Sequence, residues 1–374
     1  MKKWTLIATA AACASAALCG AANAQQAPSS SVTLYGTVDA AVEHLTNAGS
    51  NGATLTRMPG LTGGSAPSRL GFRGSEDLGG GLRAIFTLEE GFGVDSGALN
   101  QGGRAFGRQA FVGISAPWGT ITLGRQYSML FWSQLDADIL GPSMFGSGSL
   151  DSYLPNARVD NAIAYRGTFS GVTLGATYSP GRDSVNAGPS PSGTNCAGES
   201  ATDTKACRQW SLLAKYDTAQ WGAAVAVDEI TGGAGAFAGL TSSSLKDRRS
   251  TVAGWAKFGD VKVGAGLIAR RNEGSAATPR SSLWYLGAAY PVTPQFVVDG
   301  EVFKLDYKNS ANQATLFALR GTYNLSKRTA VYATAGHIAN DGALALSVSN
   351  AAAGGGPVAG GSQTGIGGGI RHSF

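Results

Sequence analysis

The sequence predicts an all-β protein, a 16-stranded antiparallel transmembrane β-barrel with an inward-folded third loop. Three observations predict it. Apolar residues alternate with polar or small ones at period two along most of the chain. Beyond residue 24 no run of about 18 apolar residues occurs, so no single helix is built to span a bilayer. Short turns alternate with long Gly/Ser/Asn-rich loops, as in barrels that cross a membrane with strands.

The start of the chain stands apart from this pattern. "MKK" is basic, Trp4–Gly20 is apolar or small, and "ANA" at Ala22–Ala24 offers a cleavage site. Residues 1–24 therefore read as a removable signal peptide, and residues 25–374 as the barrel. Two of the four cysteines lie in that leader. The other two, Cys196 and Cys207, frame "CAGESATDTKAC" at the end of the 181–207 segment. In an exported chain, a close pair in a Gly/Ser/Thr-rich extracellular loop predicts a disulfide. The formal charge of +5 is too mild for a nucleic-acid partner. Glycine is abundant, at 55 residues, but the apolar and aromatic content argues against disorder.

The strands follow from the alternation. "SVTLYGTVDAAVEH" sets Val32, Leu34, Val38 and Val42 on one face, against Thr33, Tyr35, Thr37, Asp39 and Glu43 on the other. "VTLGATYS" places Val172, Leu174, Ala176 and Tyr178 together. "RQWSLLAKYD" aligns Trp210, Leu212, Ala214 and Tyr216. "VKVGAGLIAR" aligns Val261, Val263, Ala265 and Leu267, and "QATLFALRGTYN" aligns Thr315, Phe317, Leu319 and Tyr323. The final strand repeats the pattern with Ile366, Ile370 and Phe374. Hydrocarbon cannot satisfy a free strand edge, so this last strand is expected to pair with the first, with Phe374 facing lipid at the rim. Aromatic residues near strand ends, such as Tyr165, Tyr178, Tyr216, Trp221, Tyr290, Tyr323 and Phe374, predict interfacial girdles.

The connections count the strands. Seven short turns occur, "SEDLGGGL", "APWGT", "GTFSGV", "DTAQWG", "KFGDV", "YPVTPQF" and "NLSKRT". Eight longer segments separate them, near 45–66, 92–105, 128–156, 181–207, 231–248, 271–280, 308–312 and 340–361. Seven turns and eight loops join sixteen strands. The 128–156 loop differs from the others: Leu130, Phe131, Trp132, Leu135, Ile139, Leu140 and Phe145 are apolar. A solvated loop has no need of them, whereas a loop packed inside a barrel wall does. A soluble β-sandwich would also alternate. Here, however, Thr, Asp, Glu, Lys, Arg and Gln fill the second face of nearly every strand, which suits a water-filled lumen.

Catalytic signatures are missing. There is no G-x-S-x-G, no H-E-x-x-H and no paired metal-ligand spacing, so no enzyme, metal or cofactor is expected. His44, His337 and His372 read as rim residues. "GAGAFA" at Gly233–Ala238 fits a dinucleotide fingerprint but lacks the strand–helix context. Glu76 and Asp77 read as part of a tight turn.

Six stretches in order, "VTLYG", "RLGFRGSEDLGGGL", "FVGISAPWGTITLGRQY", "RVDNAIAYR", "YNLSKRTAVYA" and "GIRHSF", resemble the trimeric general-diffusion porins of Gram-negative outer membranes, β-proteobacterial type. The resemblance covers the whole chain after the leader. It implies a water-filled channel for passive diffusion of small hydrophilic solutes and ions, weakly charge-selective. It makes the 128–156 loop a constriction eyelet. Arg69, Arg125 and Arg158 would form its positive side and Asp136 and Asp138 its negative side, with Asp151 a further candidate. Where the family often has a lysine, this chain has Thr37. Parity with Ile121 and Leu123 turns Arg125 outward, unless a bulge near Gly124 flips the register or the site is buried at a subunit interface.

The resemblance also implies a homotrimer contacting through early strands and the loop near 92–105. The small residues Gly36, Ala40 and Ala41 allow such close packing. It gives the chain outer-membrane lipid and lipopolysaccharide as surroundings. Phe374 with Ile370 becomes a barrel-closure and assembly signal for the barrel-assembly machinery. Two alternatives stay open at this point: a substrate-specific channel for an anion or a sugar, and a barrel hydrolase.

Overall fold

The computed structural model describes residues 30–182 and 196–374, so the segment read as a signal peptide lies outside the described residues. Seventeen strands form one antiparallel sheet. They are β1 (Ser31–Ala48), β2 (Ala53–Arg57), β3 (Arg69–Gly79), β4 (Leu82–Gly91), β5 (Gln109–Ala116) and β6 (Gly119–Tyr127). Next come β7 (Arg158–Phe169), β8 (Val172–Ser179), β9 (Gln209–Asp217), β10 (Trp221–Thr231), β11 (Lys246–Phe258) and β12 (Val261–Asn272). The last are β13 (Arg280–Pro291), β14 (Phe296–Tyr307), β15 (Gln313–Asn324), β16 (Thr329–Asp341) and β17 (Ser362–Ser373).

Seventeen segments make sixteen staves. The lower part of β1, Ser31–Thr37, pairs with β3, while Glu43, His44, Leu45 and Ala48 pair with β2. Strands β2 and β3 thus share one edge of β1. The break between them is held by Asp39, whose carboxylate accepts from the backbone N–H groups of Gly64, Ser65 and Ala66 at 2.9–3.1 Å. The ring closes where β17 pairs with β1, from Thr37↔Ser373 to Leu45↔Gly365. Phe374 extends the closure, exchanging two 3.1 Å backbone hydrogen bonds with Gly36.

The two faces have opposite chemistry, and the order is inverted relative to a soluble protein. Val32, Val252 and Ile163 are 69%, 58% and 54% exposed on the outside, while Asp39, Ser211 and Arg249 are at most 1% exposed within. Such an apolar outer surface suits lipid as its solvent. All seven expected short turns join strands at one rim. Exposed aromatics cluster there: Phe169, Tyr216, Trp221, Phe258, Tyr290, Tyr323 and Phe374. Tyr178 sits instead toward the long-loop rim, at the end of β8.

One expectation about the inner face is corrected. The polar inner face expected of nearly every strand gives way to apolar side chains on three neighbouring strands. Leu283, Tyr285, Phe303, Leu305 and Leu316 face inward on β13–β15 and are buried with Leu130, Met144, Phe145 and Leu150 of the 128–157 segment in one cluster. On β13 and β15 both faces are therefore apolar over these stretches, with Trp284, Leu286, Phe317 and Leu319 toward lipid and Leu283, Tyr285 and Leu316 toward the packed loop.

Candidate functional site

The 128–157 segment lies on the inner face of the wall. Its base is zipped by Ser128, whose N–H donates to Ala157 O at 2.9 Å and whose hydroxyl donates to Asn156 O at 2.8 Å. The same oxygen caps the short helix Met129–Gln134 by accepting from Phe131 N. From there the segment passes from strand to strand. Met129 N donates to Ser211 on β9 at 2.9 Å, and Gln134 accepts from Tyr285 on β13 at 2.8 Å. Leu140 N donates to Glu301 on β14 at 2.9 Å, and Ser149 donates to Val348 O in the last loop at 2.8 Å. The returning limb is held by Asn156, which donates to Asp228 on β10 at 2.9 Å.

Aromatic stacking stiffens the helix. Tyr127 stacks on Phe131 with ring centroids 4.1 Å apart, and Trp132 meets both edge-on. Leu130, Phe131, Leu140 and Phe145 are buried, as their sequence pattern requires. Leu135 is exposed and Ile139 half-buried, so the apolar run is not wholly covered.

The predicted charges separate into different surroundings. Arg69 donates to Pro67 O at 3.2 Å, and its electrostatic neighbours are Arg108, Glu89, Tyr127 and Tyr35. Arg158 lies over the Tyr127 ring, 5.1 Å from its centroid. Arg108 joins them, donating to Glu89 at 2.6 Å and to the Tyr127 hydroxyl at 2.8 Å. Glu89 also accepts from Tyr35 at 2.9 Å. Three guanidiniums therefore surround one carboxylate. Arg108 was missed in the sequence because it sits just before β5, outside the alternating pattern.

Arg125 belongs elsewhere. It pairs with Ala110 on the register of Val112 and Leu123, the outward face, and its Nε donates to Gly107 O at 2.7 Å. Asp160 lies 3.9 Å away. A bulge is present at Gly124, with φ +125° and a register shift, but only toward β7. Arg125 is buried against the end of the second loop and stands apart from the Arg69–Arg108–Arg158 group.

The carboxylates divide likewise. Asp136 pairs with Lys215 and is the most open of the three, with its side chain 47% exposed. Asp138 does not present its charge to the gap. It is buried, and its oxygens accept from Gly141 N, Ser147 Oγ and Tyr153 Oη at 2.7–2.9 Å. Asp151 is buried between Arg249, at 2.8 Å, and Arg270, and Asp247 bridges the same two arginines. A signal for this group was available. The doublets Arg248–Arg249 and Arg270–Arg271 send one arginine of each pair inward, and Arg249 lies across from Arg270.

Between the segment and the wall lies a cavity of about 420 Å³, bordered by Arg73, Thr87, Gln109, Gln126, Trp132 and Arg166. Arg166 stands 4.0 Å over Trp132, and Arg73 5.3 Å over Tyr35. Among the described residues no group of three or more His, Cys, Asp or Glu is placed to hold a metal. His44, His337 and His372 each meet a threonine of a neighbouring strand, at 2.7–2.9 Å. Cys196 and Cys207 form a disulfide with Cα atoms 5.6 Å apart.

Comparison with known proteins places this architecture. A family model described as Gram-negative porin matches residues 8–343. The outer membrane porin protein 32 of Delftia acidovorans is 33% identical, with 100% of both chains covered. An outer membrane porin protein of Bordetella pertussis is 36% identical over 44% of this chain and 46% of its own. Among solved structures, an anion-selective porin from Comamonas acidovorans aligns with a TM-score of 0.71 at 27% identity, over 92% of this chain and 100% of that one.

Proposed function

The chain belongs to the Gram-negative porin family and forms a channel for diffusion across the bacterial outer membrane; from that premise we propose that its lumen prefers anions. The single observation that carries this reading is the imbalance of charge beside the 128–157 segment. Arg69, Arg73, Arg108, Arg158 and Arg166 stand along the wall, where Glu89 is salt-bridged to Arg108. Of the candidate loop carboxylates, Asp138 and Asp151 are enclosed, and Asp136 is paired with Lys215. A net positive wall in a narrow aqueous gap raises the local anion concentration and lowers that of cations. The 128–157 segment is the constriction in this reading. Polar solutes pass through the remaining water, and apolar ones lose ordered hydration to do so. The Comamonas relative is an anion-selective porin, which supports the sign.

In this proposal Arg69, Arg73 and Arg166 do most of the electrostatic work, because they are less buried than Arg108 and Arg158. Arg125 instead holds the second loop. The chain acts as a channel and not as an enzyme, and its working unit is a homotrimer. The test is the reversal potential across a KCl gradient in a planar bilayer. The unmodified protein is expected to favour chloride. Replacing Arg69, Arg73 and Arg166 together by Ala should move the potential toward potassium with little loss of conductance. A cation-favouring unmodified channel sinks the proposal. Closure at high voltage in three equal steps is the expected sign of the trimer, and a single step speaks against it.

A further inference from the structure

The cavity between the 128–157 segment and the wall holds two arginines and no carboxylate. Both arginines face inward. Arg73 lies across from Thr87, Thr87 across from Phe111, and Arg166 across from Thr120, and all five residues border the cavity. Neither arginine has an ion pair among the described residues. Glu89, the next inward position on β4 after Thr87, is taken up by Arg108 and Tyr35. The place is also distinct from the Arg69–Arg108–Arg158 group. Those three stand at or beside the long-loop ends of β3, β5 and β7, whereas Arg73 and Arg166 lie further along β3 and β7, toward the short turns.

The rest of the lining says what kind of anion would fit. Arg166 stands 4.0 Å over the Trp132 ring and Arg73 5.3 Å over the Tyr35 ring. A ring under a guanidinium takes its flat face, while its N–H donors lie in the plane and stay available at the edge. Phe111 and Ile85 add apolar surface to the same wall. The cavity measures about 420 Å³. A chloride or phosphate ion would leave most of that volume to water. A concave site of roughly 300–1,000 Å³, with apolar and aromatic walls and a few polar groups, has the form that holds a small organic molecule. The two unneutralised guanidiniums call for one anionic head, and the aromatic walls call for a flat apolar body.

We propose that this cavity is a subsite for small aromatic carboxylates, with the carboxylate held at the guanidinium edges of Arg73 and Arg166 and the ring lying among Tyr35, Phe111 and Trp132. The subsite deepens the anion-preferring reading of the lumen, and the two are tested apart: reversal potentials in KCl alone decide the sign, and a solute series decides the subsite. The series is measured on the full chain in a planar bilayer at a fixed 0.1 M KCl, as the loss of conductance with added benzoate, cyclohexanecarboxylate, acetate or benzamide. Benzoate should reduce the current at the lowest concentration. Cyclohexanecarboxylate, which keeps the charge and loses the aromatic face, should need about threefold more. Acetate, which loses the ring altogether, should need at least about tenfold more. Benzamide, which keeps the ring and loses the charge, should leave the current unchanged. Arg166→Gln should weaken the benzoate effect by about tenfold. Equal potency of benzoate and acetate on the unmodified channel overturns the proposal by marking a simple anion site, and that comparison needs no variant to fold. Equal potency of benzoate and benzamide overturns it too, as does an undiminished benzoate effect in Arg166→Gln. A channel that favours potassium in KCl alone, yet ranks the four solutes in the expected order, would keep the subsite and discard the anion preference.

Discussion

Asp151 anchors the far limb of the 128–157 segment, and it does so through charge. Its carboxylate lies between Arg249 and Arg270 and is 2% exposed, so removing it leaves two guanidiniums sharing Asp247 alone. Breaking a buried pair by deleting one partner costs about 3–5 kcal/mol. Asp151→Asn is expected to lower the melting temperature of the folded barrel and to add noise to the open-channel current, as the limb detaches. A quiet channel with unchanged melting would mean that apolar packing holds the limb alone. The pH dependence follows from the same contacts. Burial raises the carboxyl of Asp151, which lies outside the spanning strands, but Arg270 and Arg249 outweigh burial and hold it below the ordinary aspartate range. A depressed pKa means that the stabilisation is complete above the ordinary range and is lost as pH falls through the folded value. The current should therefore stay quiet from neutral pH down to about 4 and turn noisy below it; noise that starts near pH 6 contradicts this. At this scale the sequence was only partly legible. Alternation told which residues face inward, but not which inward charges meet across a lumen. Asp138 looked like Asp136 in the sequence, yet one is enclosed by Gly141, Ser147 and Tyr153 and the other meets Lys215.

The closing pair of strands makes an element-level prediction. Gly36 faces outward on β1, where a Cβ would run into the Phe374 ring and the Arg69 carbonyl oxygen. The backbone of β1 can approach both because position 36 has no side chain. Gly36→Val should push β17 from β1 and cost about 1–3 kcal/mol as overpacking. The measurement is the fraction of compact barrel on an unheated SDS gel after refolding. A wild-type fraction for Gly36→Val would show that the closure tolerates a side chain. Most elements were legible because each spanning strand is bounded by a Gly-rich or polar turn and alternates at period two. The exception is β2. "ATLTR" has strand alternation, but it lies among Gly and Asn residues that mark a loop, and only its pairing with the upper part of β1 makes it a strand. The apolar inner face of β13–β15 was also hidden. Continuous apolar stretches such as "LWYL" hold no record of which side meets lipid and which side meets the loop.

At the scale of the whole molecule, the barrel turns its polar residues toward water inside and its apolar residues toward lipid outside, so its selectivity acts through a field in water. Such a field has a range set by salt. The Debye length is roughly 10 Å at 0.1 M and 3 Å at 1 M. In dilute salt, the positive wall proposed around Arg69, Arg73 and Arg166 should reach across the gap to the 128–157 segment, so that every passing ion feels it. In concentrated salt only ions touching a guanidinium do. The preference for chloride over potassium should therefore be marked at about 0.1 M KCl and approach unity near 1 M, while conductance rises with ion concentration. The check is a series of reversal potentials at a fixed concentration ratio and increasing total salt. A permeability ratio that stays constant across the series would place the discrimination in direct binding of the anion at short range. The cavity between Arg73 and Arg166 would then become the place to look for it, with Arg166→Gln as the variant that keeps a polar group against Trp132 and removes its charge.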